Sequence, residues 1–225
     1  MKQRVSGEDN FSYLTLALVV FLLLGSLVSQ FIDRDFAGHL LEFVLILTLV
    51  VGVWSVKSDK GVFTGAVGLT AIVLLVSASG FFLESQGLII AHYALLLVFF
   101  VVATWVTLKQ VLFPGDVTGN TIVGAICVYL LLGMIWALLY ALLEALMPGS
   151  FRGLTDTGTN VIFMDLLYFS FVSLTTMGFG DITPTLPFAR YLTFMEGIVG
   201  QLYLAIMVSS LVGVRVSNRD KQSVP

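Results

Sequence analysis

The residues with the most specific chemistry to offer run consecutively, Thr175-Thr176-Met177-Gly178-Phe179-Gly180-Asp181. Their side chains form no catalytic set; what they offer is backbone. Glycine takes positive φ at little cost, and alternating it with ordinary residues can turn successive carbonyls the same way. A ring of such carbonyls can replace the water around a cation. Elsewhere the sequence has no Ser-His-Asp arrangement, no phosphate loop and no His/Cys/Asp/Glu cluster at metal-enzyme spacing.

These residues need elements that carry them to depth in a membrane. The chain has 225 residues, 58% hydrophobic and 11% charged, with mean hydropathy +1.01; soluble domains are nearer 45–50% apolar and about 25% charged. A spanning helix needs about 20 mostly apolar residues. Six segments qualify, at about 11–32, 36–56, 61–83, 86–108, 117–147 and 186–214. The first is read as a retained signal anchor, because it is too long for a cleavable one. The link at 109–120 carries Pro114-Gly115 and divides the chain into two halves.

The segment 161–176, VIFMDLLYFSFVSLTT, is apolar but only 16 residues long. As a helix it is about 24 Å long, short of the roughly 30 Å hydrocarbon core. It therefore enters and stops, with Thr159 or Asn160 to cap its start. Its C-terminal end, partially negative, points at the middle of the membrane, just where the glycines begin. Irregular backbone at that depth must be buried in protein or line a watery cavity.

TTMGFGD resembles the selectivity-filter signature of tetrameric potassium channels, TTVGYGD. LYFSFVSL resembles their pore helix, with Tyr168-Phe169 at its usual aromatic pair, and DITP also fits. EGIVGQLYLAIMV (196–208) is similar to the inner helix of small prokaryotic subunits. The likeness is strong over about 160–213, moderate over the fifth span, and over 1–116 only a count of four spans.

The resemblance implies an all-α membrane protein: six transmembrane helices plus a re-entrant pore helix and filter loop. Residues 1–116 are then a four-helix transmembrane domain like a voltage-sensor domain without its charges, and 117–225 the pore domain. It implies a filter at Thr176, Met177, Gly178, Phe179 and Gly180, with K+ at the carbonyls of Thr176 to Phe179 and at the Thr176 hydroxyl. Met177 and Phe179 side chains are expected to turn away from the ions. Thr175, Tyr168 and Asp181 support the filter, Asp181 accepting a hydrogen bond from Tyr168. Gly200 falls at a hinge position, and Ala205 and Ser209 face the inner cavity and gate. One chain supplies one loop, so a homotetramer around a central pore is implied. The implied function is passive K+-selective conduction, with no enzyme activity and no cofactor beyond K+ as permeant ion. Partners are K+, membrane lipids and copies of the same chain, and nothing basic suggests nucleic acid. Met177 and Phe179 replace Val and Tyr of the signature. A filter lacking the tyrosine hydroxyl is expected to be labile, and the alternative is a non-selective cation channel. A pore-loop K+ transporter is disfavoured, since those carry four loops in one long chain.

Eight of the eleven Lys and Arg residues fall on one side when the N-terminus is cytoplasmic, which predicts a multi-pass cell-membrane protein with both termini inside. The fourth span has no Lys or Arg, so no steep voltage dependence is expected. The first four helices are read as a lipid-facing scaffold, with a sensor for bilayer tension or lipid and a docking face for a partner as the alternatives. Glu42 and His92 are a possible pH-sensitive pair, weighed against each reaching interfacial water separately; His39 is read as solvated. Glu196 is expected to hydrogen-bond behind the filter and Asp165 to serve the start of the short helix. Glu144 and Asp156 are candidate acids at the outer mouth, Cys127 a packing residue, and Trp54, Trp105 and Trp136 include candidate interfacial anchors. The two tails are expected to be disordered.

Overall fold

A computed structural model describes the backbone of residues 10–31, 34–55, 60–80, 85–112, 119–155 and 159–222, and side chains over 11–25, 43–53, 63–78, 85–111, 119–155 and 162–210. Seven helices are described: α1 (Asn10–Phe31), α2 (Arg34–Ser55), α3 (Lys60–Gly80), α4 (Gln86–Leu112), α5 (Gly119–Leu146), α6 (Thr159–Leu174) and α7 (Pro187–Gln222). Two two-residue strands, β1 (Phe151–Arg152) and β2 (Thr183–Pro184), pair antiparallel on either side of α6 in sequence.

Among the described residues, three helices are long and apolar enough to cross a membrane: Gln86–Val111, Gly119–Leu146 and Pro187–Ser210. The described stretches Phe11–Gly25, Phe43–Val53 and Phe63–Ala78 are shorter and apolar, as is Ile162–Leu174 of α6. The C-terminal residues do not form the disordered tail expected of them. Helix α7 runs on to Gln222, because nothing between Gly213 and that point breaks it. Asp156, His39, Glu42 and Trp54 lie outside the described side chains.

α5 is the organising element. It packs most extensively on α4, and also on α1, α6 and α7. Its neighbours share one apolar core with it, including Leu18, Phe100, Leu131, Met134, Leu138 and Leu166. Both α1 and α4 therefore pack on the α5 of their own chain. Cys127 is buried within that core, as expected of a packing residue. Trp136 packs beside Tyr140, with ring centroids 6.2 Å apart. Trp105 is exposed near the end of α4, with Lys109 Nζ 4.9 Å from its ring centroid.

Two glycines set how closely the helices meet. A methyl group at Gly133 of α5 would sit 2.5 Å from the Phe171 ring on α6. One at Gly200 of α7 would run into the Leu174 carbonyl oxygen at the end of α6. Gly200 is thus required by close approach of two backbones, a packing reason at a position that the sequence suggests as a hinge.

Candidate functional site

The end of α6 sets the conformation of the loop beyond it. Its last carbonyls are met by turning the chain back: Thr176 N–H donates to Ser173 O at 3.0 Å and Met177 N–H to Val172 O at 2.9 Å. This pair of bonds is a Schellman C-cap, which places one residue in the left-handed region. That residue is Thr176, at φ 60°. Glycine is usual there; a β-branched residue is a true outlier, at a cost of order 1–3 kcal/mol. Gly178 at φ 59° and Gly180 at φ 78° continue the pattern. Every second residue from 176 to 180 thus takes positive φ.

Thr175 turns its hydroxyl back to Phe171 O at 2.6 Å, closing the last turn of α6. Thr176 Oγ1 accepts from Gln201 Nε2 of α7 at 3.4 Å. Met177 and Phe179 are 65% and 67% exposed, uncovered by their own α6. Tyr168 Oη donates to Asp181 Oδ2 at 2.7 Å, the bond the resemblance implies. That bond holds the Asp181 carboxyl below the usual carboxylate range.

The outer end of the loop is stapled to the turn after α5. Gly149 N–H and Phe151 N–H donate to the two oxygens of Glu144, at 2.7 and 3.1 Å. Thr185 N–H donates to Ser150 O at 2.8 Å and Thr185 Oγ1 to Gly149 O at 2.5 Å. Gly153, at φ 93°, comes so close to the Asp181 carbonyl that no side chain fits. Glu144 is thus engaged by backbone rather than presented as a free acid at the mouth. Asp165 accepts from both N–H and Oγ1 of Thr155 at 2.7 Å, tying α6 to the preceding loop.

Behind the loop, α5, α6 and α7 are joined by hydroxyls. Tyr129 Oη donates to Leu174 O at 3.3 Å and Tyr203 Oη to Ala125 O at 2.6 Å, with the two rings stacked at 5.8 Å. Glu196, fully buried, lies 2.5 Å from Tyr140 Oη and 2.6 Å from Ser170 Oγ. The structural hydrogen bond expected of Glu196 is present, to side chains of α5 and α6. Ala205 and Ser209 lie on the exposed side of α7, with Ser209 Oγ bonded to Ala205 O at 2.7 Å. His92 meets Ser77 Oγ through Nδ1 at 3.1 Å; its suggested partner Glu42 is outside the described side chains.

The sequence reading missed Gln201, Tyr129, Tyr203 and the Glu144 staple. QLY at 201–203 was there as a signal, because a polar residue and a tyrosine inside an apolar span need partners.

Residues 124–216 match the family model described as ion channel. The match indicates an ion channel, not an enzyme. A two pore potassium channel c from Oryza sativa subsp. japonica is 35% identical over 68 residues, which is 30% of this chain and 14% of that protein. The chain thus matches only a small part of that relative's length. No solved structure matches at a significant level. The family match spans α5 to α7, and the apolar helices support a place in the membrane.

Proposed function

We propose that four copies of this chain surround one axis and conduct K+ passively, with the carbonyls of Thr176, Met177, Gly178 and Phe179 and the Thr176 hydroxyl as successive ion sites. The observation that carries this is the alternation of positive φ at Thr176, Gly178 and Gly180, directly after the C-terminal end of a short apolar helix. Alternating hand lets consecutive carbonyls share a direction, and the helix end favours a cation. One loop cannot surround an ion, and the exposed Met177 and Phe179 side chains leave faces for a neighbouring copy to cover. Adjacent sites let ions displace one another.

In this reading all six long helices cross the membrane. α1 to α3 have 22, 22 and 21 residues, about 32–33 Å of helix, and both termini are cytoplasmic. Each four-helix unit sits beside its own pore domain, as the packing of α1 and α4 on α5 favours. Gating is not steeply voltage-dependent, because α4 carries no cation before Lys109 in its last turn. Ala205 and Ser209 face the inner cavity.

Purified protein in liposomes tests the proposal. K+ flux far above Na+ flux, stopped by Ba2+, is the expected result. Equal K+ and Na+ flux would favour the second reading, a non-selective cation pore, which the absent hydroxyl at Phe179 keeps open.

A further inference from the structure

We infer that Glu196 is held as a neutral carboxylic acid and, in that form, positions α6 against α5 and α7. Glu196 of α7, Tyr140 and the Gly133 carbonyl of α5, and Ser170 of α6 meet here, with Thr193 of α7 beside Tyr140 and its own hydroxyl proton given to Ala189 O. Tyr140 Oη is 2.5 Å from Glu196 Oε2, Ser170 Oγ is 2.6 Å from Oε1, and the same Ser170 Oγ is 2.8 Å from Gly133 O. Glu196 and Tyr140 are wholly buried, and Ser170 with them.

The proton count decides the state. Each hydroxyl carries one proton and the peptide carbonyl brings none. With Glu196 ionised, two protons serve three short oxygen–oxygen contacts. One contact, either Ser170 to Glu196 or Ser170 to Gly133 O, would then bring two bare lone pairs together in a buried site. With Glu196 protonated, the contacts form a single directed chain. Tyr140 O–H donates to the Glu196 carbonyl oxygen, Glu196 O–H to Ser170 Oγ, and Ser170 O–H to Gly133 O. Every donor has one acceptor. The short bonds to Glu196 by themselves suit an acid or a carboxylate; the third oxygen separates the two. Both side chains bonded to Glu196 are neutral hydroxyls, so an ionised form would be a buried charge with no cation bonded to it, which is costly.

The chain of bonds crosses three helices in turn and meets α6 at Ser170, six residues before Thr176. An aromatic group of Tyr140, Phe151 and Phe169, with centroids 5.2 to 5.4 Å apart, packs beside it and excludes water. Glu196 is a positioning residue: it touches no ion and acts through the helix that ends at the filter. Its effect on flux rests on the proposed K+ conduction; its protonation does not.

Two measurements on the full chain in liposomes test this. The first is the infrared difference between wild type and Glu196→Gln at neutral pH. The expected result is the C=O stretch of a protonated carboxyl, present in wild type and lost in the variant; carboxylate bands in its place overturn the assignment. The second is K+ flux in three variants. Gln keeps one donor and one acceptor in the places the acid has them, so Glu196→Gln retains flux within about twofold. Glu196→Asp, one methylene short, and Glu196→Ala both lose flux by about tenfold or more, as expected when buried polar groups lose their partner. Equal loss in Gln and Ala overturns the positioning role. In a wild type silent to K+ the infrared band still decides the proton.

Discussion

In α2, α3 and α4, Thr48, Thr70, Thr104 and Thr107 turn their hydroxyls to the carbonyl one turn back in their own helix, at 2.7 to 2.9 Å. In α5 to α7, Tyr129, Tyr140, Ser170 and Tyr203 reach across to a different helix. The four threonines are buried, as are Tyr140 and Ser170, while Tyr129 and Tyr203 are half-buried; the two sets differ in whom they hold. A back-bonded hydroxyl fixes no neighbour, so these four threonines leave the joining of their helices to the fit of apolar side chains and, among the described residues, to cross-links such as Ser77 to His92 and Gln86 to the Ala145 carbonyl. Inside a bilayer that fit has little hydrophobic drive behind it. Directional bonds are gathered where a backbone has to be placed to a fraction of an ångström.

Four tests, made with six substitutions, probe this contrast, the largest effect first. Gly178→Ala puts a side chain at φ 59°, costing about 1–2 kcal/mol in each copy. Because four copies would form one ring, K+ flux in liposomes is expected to fall at least about a hundredfold. Unchanged flux would mean that the left-handed backbone at this position is unnecessary. Next is a glycine comparison read by thermal melting. Gly200→Ala meets the Leu174 backbone and destabilises by about 1–3 kcal/mol, whereas Gly65→Ala in α3, with open space around it, stabilises by roughly 0.5–1 kcal/mol. If both shift melting the same way, the two halves are not packed differently.

A hydroxyl comparison is similar but smaller. Ser170→Ala leaves the Glu196 carboxyl and the Gly133 carbonyl short of a partner and costs about 1–3 kcal/mol in denaturation of the assembled protein. Thr48→Val removes a hydroxyl from a carbonyl that its helix already satisfies, and changes stability by about 0.5 kcal/mol or less. The smallest effect at neutral pH is that of Tyr168→Phe. Since the Tyr168 bond lowers the Asp181 value, its support is fully present above the unfolded carboxylate value and lost as pH falls through the lowered one. Wild-type flux should therefore resist external acid, while Tyr168→Phe declines at a higher pH. Superimposable pH profiles would dismiss the bond as a filter support.

The helices were legible because runs of about 20 apolar residues leave few alternatives, and α6 because its run is too short to cross. The loop was legible because two glycines follow that run. The partners were not. Nothing in the spacing of Glu144 and Gly149 says that a turn folds back onto a carboxylate, and the pairing of Gln201 with Thr176 depends on two helices meeting at Gly200. Gly200 shows the limit most clearly: a glycine in an apolar helix suggests a flexible point, and only the position of Leu174 reveals the close contact made there. The C-terminal stretch after Gly213 misled because its polarity suggested a tail, yet helix propagates until something stops it.

The Schellman turn at Thr176 has a consequence for change over generations. The full stop of one helix and the first word of the proposed filter are the same residue. A helix can usually gain or lose a residue at its end and let a loop absorb the difference. Here there is no slack: an insertion or deletion between Val172 and Gly178 rewrites the left-handed sequence and the proposed ion sites together. Variation in this chain should therefore appear as replacement within these seven positions, such as Met177, and almost never as a change in their number.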